Sequence, residues 1–178
     1  MRVLVVVASQ TGRTARMADA CAEGARQAGA EALVVKAEDA GIEDVDVADA
    51  LILGSGVHMA GVESSMSAFL ERTAPRWLEG RWVGKLGAAF GSAGAGGRGG
   101  TELVLLSMLA TLAEHGMLIV PMHNRLEGYP SGGSHWGPVA WTSPRNGEPG
   151  PTDRHLEAAR SHGRWVAECT ARWLAGQG

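Results

Sequence analysis

The apolar run Val3–Ala8 passes without a linker into Ser9-Gln10-Thr11-Gly12-Arg13-Thr14, and a helical pattern opens at once. A short continuous apolar run bounded this way predicts a strand buried on both faces of a parallel sheet. The junction then lies at the carboxyl edge of a first strand, where open α/β sheets bind ligands. The N–H groups of the new helix and the positive end of its dipole point there, which favours an anion. Ser9, Thr11 and Thr14 add hydroxyl donors, and Gly12 lets the backbone come close. No lysine is present in the loop, and Gly-x-x-x-x-Gly-Lys-Ser/Thr is absent, which argues against a triphosphate cradle. Neutral donors of this kind suit a terminal phosphate monoester. A plain polar βα turn with a threonine cap is the alternative.

Downstream periodicity predicts alternating helices and strands. Ala18, Cys21, Ala22 and Ala25 share one face of a helix over about 14–27, stopped by Gly29. Strands are expected at about 32–36 and 50–53, separated by an acidic, turn-rich segment. A second carboxyl-edge loop, 54–61, precedes a helix whose apolar face carries Val62, Met66, Phe69 and Leu70, closed by Pro75. A fourth strand at about 86–90 runs into the glycine-rich loop 91–100, then a helix over about 101–115. That helix is apolar around nearly its whole circumference, which predicts cover from outside, as at a subunit interface. A fifth strand is expected at about 117–120. Residues 121–151 hold six prolines and no sustained periodicity, so they read as a long functional loop. His123, Tyr129, His135, Trp136 and Trp141 within it favour a binding loop over a linker. Thr152 or Asp153 caps a final helix. The expected fold is a single α/β domain over 1–178: a doubly wound, five-stranded parallel sheet in the order 2-1-3-4-5, with helices on both faces.

In that order the loops after strands one, three and four converge beside the switch point. One anion pocket flanked by two glycine-lined walls suits a phosphate joined to a flat ring, which is FMN rather than a dinucleotide. Gly94-Ala95-Gly96-Gly97-Arg98-Gly99 matches G-x-G-x-x-G, but it follows the wrong strand, and the next strand ends in Val120-Pro121 with no acid. No Gly-x-Ser-x-Gly elbow is present, and the six histidines show no metal-ligand spacing. A net charge of −3 without blocks of like charge excludes nucleic acid and anionic membrane as favoured partners. No apolar run approaches the roughly 18 residues that cross a bilayer, and Val3–Ala8 is too short for the h-region of a signal peptide, so none is expected. Cys21 and Cys169 read as reduced thiols, and the compartment is expected to be the cytoplasm.

Ser9-x-Thr11-Gly12-x-Thr14 resembles the flavodoxin-like FMN phosphate loop. A longer resemblance is to the WrbA-like NAD(P)H:quinone oxidoreductases of that superfamily. It covers Gly54–Trp77, Gly84–Thr101, His115–Pro121, Ser131–Gly137 and the last helix around Ala159–Ala167. The resemblance implies that Ser9, Gln10, Thr11, Gly12, Arg13 and Thr14 hold the FMN phosphate. It implies that Gly56, Val57, His58 and Met59 line one side of the ring, with Ser92, Ala93, Gly94 and Gly97 on another. His115 falls where that family places a histidine near flavin or substrate. His58 and His115 are therefore the expected catalytic residues, orienting acceptor oxygens, and His135 and Trp136 the expected walls of the substrate pocket. The resemblance further implies NADH or NADPH as hydride donor, a quinone-like acceptor and a homodimer or homotetramer. It departs in a short connection after strand two, in Gly56–Gly61, and in Gly132–Gly137. A one-electron carrier of flavodoxin type, and a non-catalytic FMN-binding module, are the alternatives of different class.

Overall fold

Strand β1 (Arg2–Ala8) is buried on both faces after its first residue. Val3, Val5 and Val7 enter one hydrophobic layer, and Leu4, Val6 and Ala8 the other. The computed structural model describes residues 1–94, 98–143 and 149–176. After β1 come α1 (Arg13–Gln27), β2 (Glu31–Lys36), α2 (Ile42–Asp46), β3 (Ala50–His58) and β4 (Gly61–Val62). These are followed by α3 (Ser64–Arg72), α4 (Ala74–Leu78), β5 (Leu86–Ala93) and α5 (Arg98–Glu114). The chain ends with β6 (Leu118–Ile119), α6 (Tyr129–Gly132), β7 (Gly133–Ser134), β8 (Gly137–Trp141) and α7 (Asp153–Ala175).

Strands β2, β1, β3 and β5 lie side by side in that order, all parallel. Helices α1 and α7 cover one face with Met17, Ala18, Cys21, Ala159 and Val166. Helices α3 and α5 cover the other with Met66, Phe69, Val104, Leu105, Met108 and Leu112. Parallel strands connected through helices on both faces are the doubly wound arrangement that the strand–helix alternation predicts.

Several boundaries differ from the expectation, each for a physical reason. β3 runs on through Gly54, Ser55 and Gly56, which pair with Phe90, Gly91 and Ser92 of β5. Gly54 is there to make room rather than to turn the chain: a Cβ would stand 1.9 Å from the Phe90 ring. The acidic segment forms the short helix α2, and Pro75 lies in the first turn of α4. The fifth strand position is shared by two segments. β6 pairs with Leu86 and Gly87, and the Val120 N–H still reaches the Gly87 carbonyl at 2.8 Å. Pro121 has no N–H to continue the ladder, and the chain leaves the sheet. It returns as β8, whose Val139, Ala140 and Trp141 pair with Gly91, Ser92 and Ala93. The long loop therefore contains a helical turn, a small hairpin and a strand. Helix α5 buries Val104, Leu105, Met108, Leu109 and Leu112, but leaves Leu103 58% and Leu106 39% exposed. The described part of the long loop packs instead against α7, where Ser161 donates to the Glu127 carbonyl at 2.6 Å.

Candidate functional site

The carboxyl ends of β1, β3, β5 and β8 are neighbours, so the segments leaving them meet. Between them lies a polar cleft of about 370 Å3. Gln10, Thr11, Arg13 and Thr14 line it from the start of α1, and Gly56, Val57 and His58 from β3. Ser92, Ala93 and Gly94 line it from β5, and Thr142 from just beyond β8. Thr14 is buried, and its hydroxyl shares a 2.8 Å hydrogen bond with that of Ser92. Thr142 closes the far wall by giving both its N–H (2.8 Å) and its hydroxyl (3.1 Å) to the Ala93 carbonyl.

Two helix N-termini beside the cleft, those of α1 and α3, are treated differently. At α3, Glu63 caps the helix itself, accepting from the Ser65 N–H at 3.4 Å and the Ser65 hydroxyl at 2.5 Å. Burial would raise its pKa, but hydrogen bonds from Ser65, Ser64 and Gln10 outweigh that and hold the carboxylate below its usual range. At α1, no side chain caps Gly12, whose φ of 76° is the left-handed conformation glycine adopts freely. The Ser9 hydroxyl accepts only the Ala15 N–H, at 3.2 Å. The first-turn N–H groups of Arg13 and Thr14 are left without a capping side chain, and no acid occupies that turn. This is the arrangement that attracts an anion.

The walls are shaped by missing side chains. A Cβ on Gly56 would project toward the His58 ring at 3.3 Å and the Thr14 hydroxyl at 3.5 Å. A Cβ on Gly94 would come within 3.2 Å of the Ser143 hydroxyl. Both would narrow the cleft, so the residues present fit a flat group better than bulkier ones would. Met59 and Ala60 form the left-handed tip of the β3–β4 hairpin, at φ 48° and 65°, and the Met59 side chain is fully exposed. Gly97 lies outside the described residues.

Met59, at the exposed hairpin tip, is not among the residues lining the cleft, and three further expected site residues are placed elsewhere. His115 follows α5, whose 17 residues span about 25 Å at about 1.5 Å each, so it lies at the opposite edge of the sheet. It is buried, stacked on Trp82 with ring centroids 4.3 Å apart, and its Nε2 lies 2.8 Å from the Thr73 hydroxyl. It is a core histidine, away from the cleft. His135 and Trp136 form the turn between β7 and β8, at the amino end of β8, roughly 16 Å along the strand from the cleft. His135 lies 3.2 Å from the Tyr129 hydroxyl, and Trp136 is exposed on the sheet edge. Thr142 is the site residue not anticipated, and Glu63 is an unanticipated neighbour that caps α3 beside the site. Glu63-Ser64-Ser65 carries an N-cap signal that could have been read, whereas Gly137-Pro138 hid the strand that delivers Thr142.

A larger groove of about 520 Å3 lies at the amino edge, between Arg2, Leu4, Glu31, Leu33, Asp44 and Val47. The short β2–β3 connection leaves Leu33 and Val47 uncovered there. Glu31 and Asp44 put carboxylates along it beside the apolar Leu33 and Val47, so it lacks the anion-binding character of the cleft.

Fold and cleft together define the class, a flavodoxin-like protein. The flavodoxin domain family matches residues 4–83. A WrbA-like flavodoxin from Agrobacterium tumefaciens has the same fold with a TM-score of 0.76 and 26% identity, over 96% of this chain and 98% of that one. A flavodoxin from the domain Archaea shares the fold alone, with a TM-score of 0.71 at 23% identity over 96% of this chain and 99% of that one. The NAD(P)H dehydrogenase (quinone) of Sinorhizobium fredii is 32% identical over 96% of this chain and 98% of its own. That of Afipia carboxidovorans is 34% identical over 98% and 99%. The chain belongs to this family of flavodoxin-domain NAD(P)H dehydrogenases (quinone).

Proposed function

We propose that the chain acts as one FMN-binding unit, an oxidoreductase taking a hydride from NAD(P)H and delivering two electrons to a quinone-like acceptor. The observation that carries this reading is the uncapped α1 N-terminus in a polar cleft, in a chain matched along nearly its whole length by NAD(P)H dehydrogenases (quinone). FMN, when bound, supplies the redox chemistry. Gln10 to Thr14 hold its phosphate through loop amides and hydroxyls, with Ser9 bracing the loop from beneath. Gly56, Val57, His58, Ser92, Ala93 and Gly94 form the walls for its ring, and His58 orients an acceptor oxygen at the open side. No aromatic side chain except the His58 imidazole lines the cleft among the described residues, which leaves room for a flat donor or acceptor to stack. Free Cys21 and Cys169 fit a reducing compartment, the cytoplasm.

The direct test is anaerobic. The purified yellow protein bleaches on addition of NADH or NADPH and regains colour with a quinone. A protein that dithionite bleaches but neither nucleotide reduces is an electron carrier instead. The phosphate assignment has its own check. Thr11→Ala removes a donor to a charged group and weakens FMN by about 1.5–3 kcal/mol, leaving riboflavin unaffected. Riboflavin binding the apoprotein as tightly as FMN contradicts the assignment.

The same reading makes the protein a homodimer or homotetramer, supported by Leu103 and Leu106 standing exposed on α5. Light scattering shows a multiple of 18.5 kDa, and Leu103→Glu with Leu106→Glu lowers it. A wild-type protein that runs as a single chain at micromolar concentration overturns this.

A further inference from the structure

The cleft does not end at His58. Gln10 and His58 also line a wider groove of about 770 Å3 that continues over α3. Ser64, Ser67, Ala68 and Glu71 form its floor, at spacings of three or four on one helix face, away from the buried Met66 and Phe69. The groove offers hydroxyls, a short apolar stretch and one carboxylate, and among the described residues no lysine or arginine lines it. Arg72, the next residue along α3, and Lys36 are engaged elsewhere. Arg72 donates to the carbonyls of Ala37 and Ala40 at 3.1 and 3.2 Å, and Lys36 pairs with Glu38 at 3.6 Å. Arg13 belongs to the cleft itself. A second carboxylate, Glu63, caps the same helix from the buried side.

Building on the reductase reading, we propose that this groove takes the adenosine end of the nicotinamide co-substrate and that Glu71 selects NADH over NADPH. A hydride donor whose ring reaches the cleft must lay the remainder of its length in an adjoining channel, and this groove is contiguous with the cleft through two shared residues. A ribose 2′-hydroxyl donates to a carboxylate, the pairing by which α/β sheets select the unphosphorylated nucleotide. A 2′-phosphate would instead meet the Glu71 carboxylate, and among the described residues no lysine or arginine lines the groove to answer it. Like charges placed together in a binding site reject the wrong partner.

The experiment compares the flavin-loaded protein and its Glu71→Arg variant with both nucleotides at a fixed quinone concentration. NADH is expected to exceed NADPH in kcat/KM by about tenfold or more, with the difference carried by KM. Glu71→Arg collapses or reverses the ratio and leaves the KM for quinone unchanged. Calorimetric titration with NAD+ and NADP+ gives the same order of affinity in the wild type and loses it in the variant. NADPH equal to or better than NADH, or a ratio that Glu71→Arg does not move, overturns the proposal and leaves the reductase reading standing. Reduction by neither nucleotide overturns both.

Discussion

Gly163→Ala will cost the fold about 3 kcal/mol or more, although alanine is by about 1 kcal/mol the better helix former. The cause is the crossing of α1 and α7. A Cβ on Gly163 would stand 2.0 Å from the Cys21 carbonyl oxygen, and one on Gly24 would stand 1.8 Å from that of Arg160. Both obstacles are backbone, so no side chain can swing aside. The helices must separate, exposing Met17, Cys21, Ala159 and Val166 along the face they share. Such a loss is a large fraction of the roughly 5–15 kcal/mol that holds a domain folded. Urea denaturation measures it as a lower midpoint at unchanged slope. Gly24→Ala should act alike, and the double variant should lose less than the sum, because one separation relieves both clashes. A midpoint that stays or rises would show that the crossing opens freely.

Mild acid is the second large effect. The His162 Nε2 lies 3.2 Å from the Val120 carbonyl oxygen, which can only accept, so this nitrogen carries the hydrogen. Its Nδ1 is buried without a partner. A second proton there would have nothing to bind to, and burial pushes the imidazole down to about 4 from 6.5. Between those values the unfolded chain takes up a proton that the folded chain refuses. Stability is complete above pH 6.5 and falls as the pH drops toward 4, by on the order of 3 kcal/mol. His115 repeats the arrangement: Thr73 gives its hydroxyl hydrogen to the Leu70 carbonyl, so His115 Nε2 must donate to Thr73, and Nδ1 is again unpartnered. Desolvation lowers its pKa too, against the opposing pull of Glu114. At His155, Nδ1 accepts the Thr152 N–H at 3.1 Å, and burial lowers the pKa in the same direction. Denaturation at pH 7.5 and pH 5 should show the wild type losing stability and His162→Gln losing less, since glutamine keeps the donor to Val120. Equal losses in the two proteins would remove His162 as the source.

The readable parts of the chain were those where one physical signal acts alone. The run Val3–Ala8 could only be a strand with both faces buried, and the stripe through Ala18 and Cys21 only one side of a helix. Loop 9–14 followed from its place between those two elements. Gly54 and Gly56 misled because glycine marks both turns and close packing, and only the Phe90 ring shows which applies. Pro138 hid β8 in the same way: it sits just ahead of the residues paired with β5, where its missing N–H costs the parallel ladder nothing. His115 was assigned by resemblance, and neither charge nor spacing in the sequence reveals that a histidine at a helix end will fold under a tryptophan.

The split fifth strand makes the cleft and the far edge of the sheet thermodynamically one object. Thr142 reaches the cleft only because β8 returns to β5, and that return depends on residues 121–136 staying docked on α7. Whatever fills the cleft and touches Thr142 would therefore act as a clasp on β8. Without it, local opening is expected to begin at β7 and β8, while β1, β3 and β5 hold. With it, amide protection at Val139, Ala140 and Trp141 rises in proportion to the logarithm of ligand concentration, although the ligand contacts none of the three.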